Sequence, residues 1–93
     1  MTLKEFCFRG KIVTGGAEFR RLLTLKAFSI NGAIPEDEDI EIKNGDVLQK
    51  GKRLVFIKAA TLQDGINMIP NNLSENKTYR IITDQELDYS IAT

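Results

Sequence analysis

Glu18-Phe19-Arg20-Arg21-Leu22-Leu23, then Phe28-Ser29-Ile30-Asn31-Gly32, then Asn44-Gly45-Asp46-Val47-Leu48-Gln49 running through Lys50-Gly51-Lys52-Arg53 to Leu54-Val55-Phe56-Ile57: these three runs decide how the chain folds. In the first, helical spacing puts Phe19, Leu22 and Leu23 on one face and Arg20 and Arg21 on another. That spacing predicts a short basic helix from about Gly16 to Leu25. In the second, Phe28 to Asn31 reads as a strand. Asn31-Gly32 predicts a tight hairpin turn with Gly32 at positive φ, because both residue types tolerate that backbone. In the third, Val47-Leu48-Gln49 and Leu54 to Lys58 predict a hairpin across the basic turn Lys50-Gly51-Lys52-Arg53.

Outward from this block the signals weaken. Thr2 to Arg9 predicts a first helix, with Thr2 as cap and Glu5 at the third position of a capping box. Leu3, Phe6 and Cys7 form its apolar face, and Gly10 is expected to end it. Gly15-Gly16 reads as a break before the basic helix. Glu36-Asp37-Glu38-Asp39 is a solvated acidic loop. Ile40-Glu41-Ile42 alternates as a half-buried strand, and Asn44-Gly45-Asp46 is a second turn. Beyond Lys58, Ile66-Asn67-Met68-Ile69 reads as a strand ended by Pro70-Asn71-Asn72, and Tyr79-Arg80-Ile81-Ile82 reads as another. Asp84 to Asp88 reads as a short helix or a frayed end, and Asp84 to Thr93 is expected to be mobile.

Ninety-three residues with 42 % hydrophobic content suit one folded domain with a modest core. The formal net charge is zero, but it is unevenly spread. Met1 to Lys58 holds 11 lysines and arginines against 8 acidic residues, a balance of +3. Ala59 to Thr93 holds 2 against 5, a balance of −3. A mildly basic body therefore carries an acidic tail. One cysteine and no histidine rule out an internal disulfide or a Cys/His zinc site. The lone thiol fits a reducing compartment. No apolar run approaches the roughly 18 residues of a membrane span, and the start of the chain lacks the layout of a signal peptide. The expectation is a cytoplasmic or organelle-matrix protein with no membrane partner.

Arg20, Arg21 and Lys26 lie on or just after one helix, and Lys50, Lys52 and Arg53 lie in one turn. Folding the hairpin back on the helix would give these groups one phosphate-attracting face; ordinary solvated charge is the alternative. The carboxylates from Glu36 to Glu41 lack the ligand spacing of a calcium loop. Cys7 beside Phe6 reads as core, with no histidine to activate it. Gly15-Gly16 is followed by no phosphate-loop lysine. No set of residues has the spacing that acid–base or nucleophilic catalysis needs, so the chain reads as a non-enzyme on its own.

The block from Glu18 to Gly32, with its Arg-Arg-Leu-Leu helix and Asn-Gly turn, resembles the signature of the RNA-binding domain of the ribosomal-protein-S-four family. Asn44-Gly45-Asp46-Val47-Leu48-Gln49-Lys50-Gly51-Lys52-Arg53 resembles that domain's closing hairpin, most of all the version at the C-terminus of bacterial-type tyrosyl-tRNA synthetases. Leu3 to Gly16 is similar to the family's first helix and linker. The resemblance implies a small α+β fold of the alpha-L type, two short helices packed on a small antiparallel or mixed twisted sheet. It covers about residues 2 to 58, giving a module at 1–58, and has no counterpart for the C-terminal extension at 59–93; the isoleucines and tyrosine of that extension predict an added strand, with a loose acidic arm that competes with RNA as the alternative. Carried over by position, the resemblance implies RNA contacts by Arg20, Arg21, Lys26, Lys52 and Arg53, with Lys11 from the linker as a weaker candidate; Lys50 joins the RNA-binding set from the charge cluster of the turn. The resemblance also places Phe19, Leu22, Leu23, Ile30, Val47 and Phe56 in the core.

Gly15-Gly16-Ala17 departs from the Ser-Lys-Ser-like stretch of the synthetases and is similar to small stand-alone ribosome-associated members. The synthetase catalytic motifs are missing, so the chain reads as a fragment of a tyrosine-tRNA ligase or as a stand-alone member. The expected partner is structured RNA, tRNA first and rRNA as the alternative, bound by a monomer without cofactor or metal. From another class, a protein-interaction module using the acidic tail stays open.

Overall fold

The computed structural model describes residues 1–69 and 76–87 of the chain. Seven elements follow in order: α1 (Leu3–Arg9), α2 (Gly16–Thr24), β1 (Phe28–Ile30), β2 (Val47–Lys50), β3 (Leu54–Ala59), α3 (Leu62–Met68) and β4 (Thr78–Thr83). The class is α+β: short helices on a four-stranded mixed sheet of order β1-β2-β3-β4, antiparallel except for the parallel pair β3 and β4.

The strand period of two sorts the side chains. Phe28, Leu48, Phe56 and Ile82 share one face, which α1 and α2 cover with Leu3, Phe6, Cys7, Ile12, Val13 and Phe19. Phe19 stacks obliquely on Phe28 with ring centroids 5.8 Å apart. Val55, Ile57 and Ala59 are also buried, and their alternate positions put them on the opposite face. There α3 packs on β3 and β4 so closely that a Cβ at Gly65 would collide with Cγ2 of Ile81. Leu22, Leu23 and Ile30 pack on the first core as expected, and Phe19 and Phe56 are buried in it. Val47 instead lies half-buried on the α3 side of the alternation.

The expected capping box at Thr2 and Glu5 forms. Gly10 closes α1, but at φ −80°, so it supplies no left-handed turn. Its smallness is needed for another reason: a Cβ there would lie 2.8 Å from Cδ1 of Ile82 and 2.9 Å from the Phe6 carbonyl. Asn31 (φ 51°) and Gly32 (φ 88°) have the positive pair of a mirror-image hairpin turn, closed by Ile30 and Ala33. The return arm is that single bridge, and the strand paired along β1 is β2.

Three expectations are corrected. Ile40 to Ile42 is not a sheet strand; it bridges back to Thr2 and Leu3, with Ile42 buried. Its alternation reflects one packed side, with no neighbouring strand edge to complete a ladder. Ile66 to Ile69 is not a strand: Leu62–Met68 is helical, capped by Thr61, whose hydroxyl accepts the Asp64 N–H. Two parallel strands need a crossover, and α3 supplies it. The Pro70-Asn71-Asn72 stop lies outside the described residues. Finally, the chain is not a loose end at Asp84: Asp84 to Leu87 forms the short helical turn that is one of the two readings, and it inserts Leu87, 2 % exposed, into the first core. The remainder of the mobility expectation, residues 88–93, lies outside the described residues.

The sheet runs straight across the boundary expected at Lys58, since Lys58 pairs with Ile82 and Ala59 with Thr83. Lys58 itself is 8 % exposed at a core-facing position. Its ammonium is held by Oδ1 of Asn44 at 2.6 Å and Oδ1 of Asp84 at 3.3 Å, so the buried charge is paired and hydrogen-bonded. No described helix is long and apolar enough to cross a membrane.

Candidate nucleic-acid interface

The α2–β1 corner and the β2–β3 turn meet through the pairing of Phe28 with Lys50 and the hydrogen bond from the Gly51 N–H to the Ala27 carbonyl, 2.7 Å. Lys26 ends the corner and Lys52 lies in the turn, so residues 26 apart in sequence line one depression of about 350 Å³. Ala27, Phe28, Ser29, Ile34 and Gly51 complete its lining, and none of the described lining residues is acidic.

Lys26 is positioned by the way α2 ends. The Ala27 N–H donates to the Leu22 carbonyl at 2.9 Å and the Lys26 N–H to the Leu23 carbonyl at 3.1 Å. This is a Schellman ending, whose left-handed residue is usually glycine; here it is Lys26 at φ 57°. α1 ends identically, with Ile12 bonded to Cys7, Lys11 to Phe8, and Lys11 at φ 55°. Both basic residues therefore project from helix C-termini, where the peptide dipoles favour cations.

Arg20 and Arg21 are exposed on α2, and Lys11, Lys26, Lys52 and Arg53 are exposed at turns. Among the described residues, no carboxylate pairs with any of these six. The depression unites Lys26 with Lys52; Lys11, Arg20, Arg21 and Arg53 are not in its lining. Arg53 starts the β3–β4 pairing, its carbonyl accepting the Thr78 N–H at 2.6 Å.

Lys50 differs from the other six. It points to the α1–α2 face, where its ammonium donates to the Ile12 carbonyl at 2.7 Å and to Oε1 of Glu18 at 2.8 Å. That bond from Lys50, with donations from the Thr14 hydroxyl and N–H, lowers the Glu18 carboxyl to about 2. Lys50 thus fastens β2 to the start of α2. Burial pushes the Cys7 thiol up to about 12, in keeping with a core role.

Sequence reasoning missed Ser29 and Ile34 in the lining and Asn31 as an organiser. The Asn31 amide oxygen accepts the Val47 N–H at 2.9 Å, and its nitrogen donates to Oδ1 of Asp46 at 3.0 Å, tying the first turn to the second. Nothing local in the sequence marks Ser29 or Ile34; the Asn-Gly dipeptide marks the turn but not its cross-links. Among the described residues, no group of three or more Cys, Asp or Glu side chains is arranged to hold a metal. No protein-family model matches the chain, and neither does any curated protein or solved structure.

Proposed function

We propose that this chain is an RNA-binding module of the S-four type, whose basic face takes the sugar–phosphate backbone of structured RNA, tRNA in the first instance. The observation that carries the reading is the meeting of Lys26 and Lys52 in one acid-free depression, flanked in sequence by the exposed Arg20, Arg21 and Arg53. It is supported by the resemblance of Glu18 to Gly32 and Asn44 to Arg53 to the family's two signatures. Two helices over one face of a small sheet, with an Asn-Gly turn after the first strand, suit the same reading. Recognition would rest on backbone charge and RNA shape, with little base reading. It calls for no cofactor and no catalysis by this chain.

Salt titration of the full chain against tRNA and against an rRNA fragment tests the reading. Phosphate contacts make affinity fall steeply with salt. Arg20→Ala with Arg21→Ala should weaken binding by about 1–3 kcal/mol in total and flatten the salt slope, with the melting temperature unchanged. Tighter binding to rRNA would favour the stand-alone ribosome-associated alternative. Absence of salt-dependent binding to either RNA would refute the proposal and leave the protein-interaction reading.

A further inference from the structure

The depression between Lys26 and Lys52 is lined by more than charge. A duplex offers its partner phosphates and sugars, which a flat array of cations would satisfy. Here the two lysines share their lining with the apolar Ala27 and Ile34, and Ile34 is 52 % exposed. Ser29, half-buried in the same lining, adds one hydroxyl that can donate and accept.

We propose that this depression binds one unpaired nucleotide of the RNA, a bulged or loop residue turned out of its stack. Its base lies against Ile34 and Ala27, and its flanking phosphates lie between Lys26 and Lys52. The proposal rests on the RNA-binding reading above and names the part of the RNA that this site takes.

Three features support a nucleotide as the occupant. The volume, about 350 Å³, is at the lower end of the roughly 300–1,000 Å³ of small-ligand sites, enough for a base and sugar but too small for a helix. Charge complementarity selects an anion, because both charged lining residues are lysines. The apolar lining selects an anion joined to a flat uncharged body, since an unstacked base gains by covering its faces.

The test uses the full chain and two RNA hairpins with the same stem, one fully paired and one with a single bulged 2-aminopurine. The bulged RNA should bind about fivefold more tightly, as covering roughly 40 Å² of apolar surface at Ile34 and Ala27 would give. Its fluorescence should change on binding. Ile34→Ser should abolish the preference for the bulge without altering the salt slope; should that variant melt early, Ile34→Thr replaces it. Lys52→Ala should lower the salt slope by about one on both RNAs. Salt-dependent binding to both RNAs with equal affinity and unchanged fluorescence would overturn the nucleotide site while sparing the RNA-binding reading. Binding to neither RNA overturns both. Displacement of the bulged RNA by a polyglutamate peptide at matching concentration would show that any anion suffices, and would also overturn the site.

Discussion

Lys11 and Lys26 occupy the same place in two helices, the left-handed residue one position past the cap. An L-residue there costs about 1–2 kcal/mol, and glycine's larger chain entropy offsets roughly half of the relief that a change to glycine would bring. Lys26→Gly is therefore expected to leave stability unchanged or to raise it by up to about 1 kcal/mol, while weakening RNA binding. Urea unfolding together with an RNA titration checks both; loss of stability would show that the lysine stem matters for packing. Glu18 makes a second prediction at this scale. Its carboxyl is lowered in the folded chain to about 2 from an ordinary 4.5, chiefly by Lys50 and then by Thr14. A lowered acid contributes stability in full above its unfolded value and loses it as pH falls toward the folded one. Wild type should thus lose stability between pH 4.5 and 2, and Glu18→Gln should lose less over that interval. Thermal melts stepped through it decide, and parallel pH profiles would show that the Lys50 contact does not matter for stability.

The elements divide by how local their causes are. α1 and α2 were legible because the capping box of the first and the apolar spacing of both lie within seven to nine residues. α3 was misread although Thr61-Leu62-Gln63-Asp64 carries the same kind of start signal. Gly65, a poor helix former in isolation, obscured it, and the reason for a glycine there is Ile81, sixteen residues away. At Asp84 to Leu87 the polar residues leave a short helix and a frayed end equally open to a local reading; Leu87 in the core decides for the helix, while Asp84 contacts Lys58 and Glu86 contacts Arg80 at 2.5 Å. Leu87→Ala should cost about 2–5 kcal/mol, as truncation of a buried leucine does. A melting temperature within a degree or so of wild type would sink that assignment.

At the scale of the molecule, the body with its +3 balance and the −3 tail share a sheet, since β4 of the tail pairs along the length of β3. Cutting the chain after Lys58 removes β4, α3, Ile82 and Leu87, and leaves Val55 and Ile57 without their cover. The 1–58 fragment should unfold at much lower urea than the full chain, or not fold at all. Equal midpoints would mean that the tail is dispensable, and tighter RNA binding by a folded fragment would make the tail a competitor for the basic face.

Short-range chemistry controls the two N-terminal helices, the Asn31-Gly32 turn with its positive φ, the β2–β3 hairpin, the strand at Tyr79 to Ile82, and a set of basic residues on turns and one helix face, and all of these can be read along the chain. Each follows from capping, periodicity or turn preference over a few residues. Packing across the whole chain selects the strand that β1 pairs with, keeps Ile40 to Ile42 outside the sheet, brings Leu87 into the core, and turns Lys50 to Glu18 while Lys26 meets Lys52. Those outcomes depend on pairs far apart in sequence. Their physical cause, the joint fit of two sheet faces to helices from both ends of the chain, is written in no local pattern.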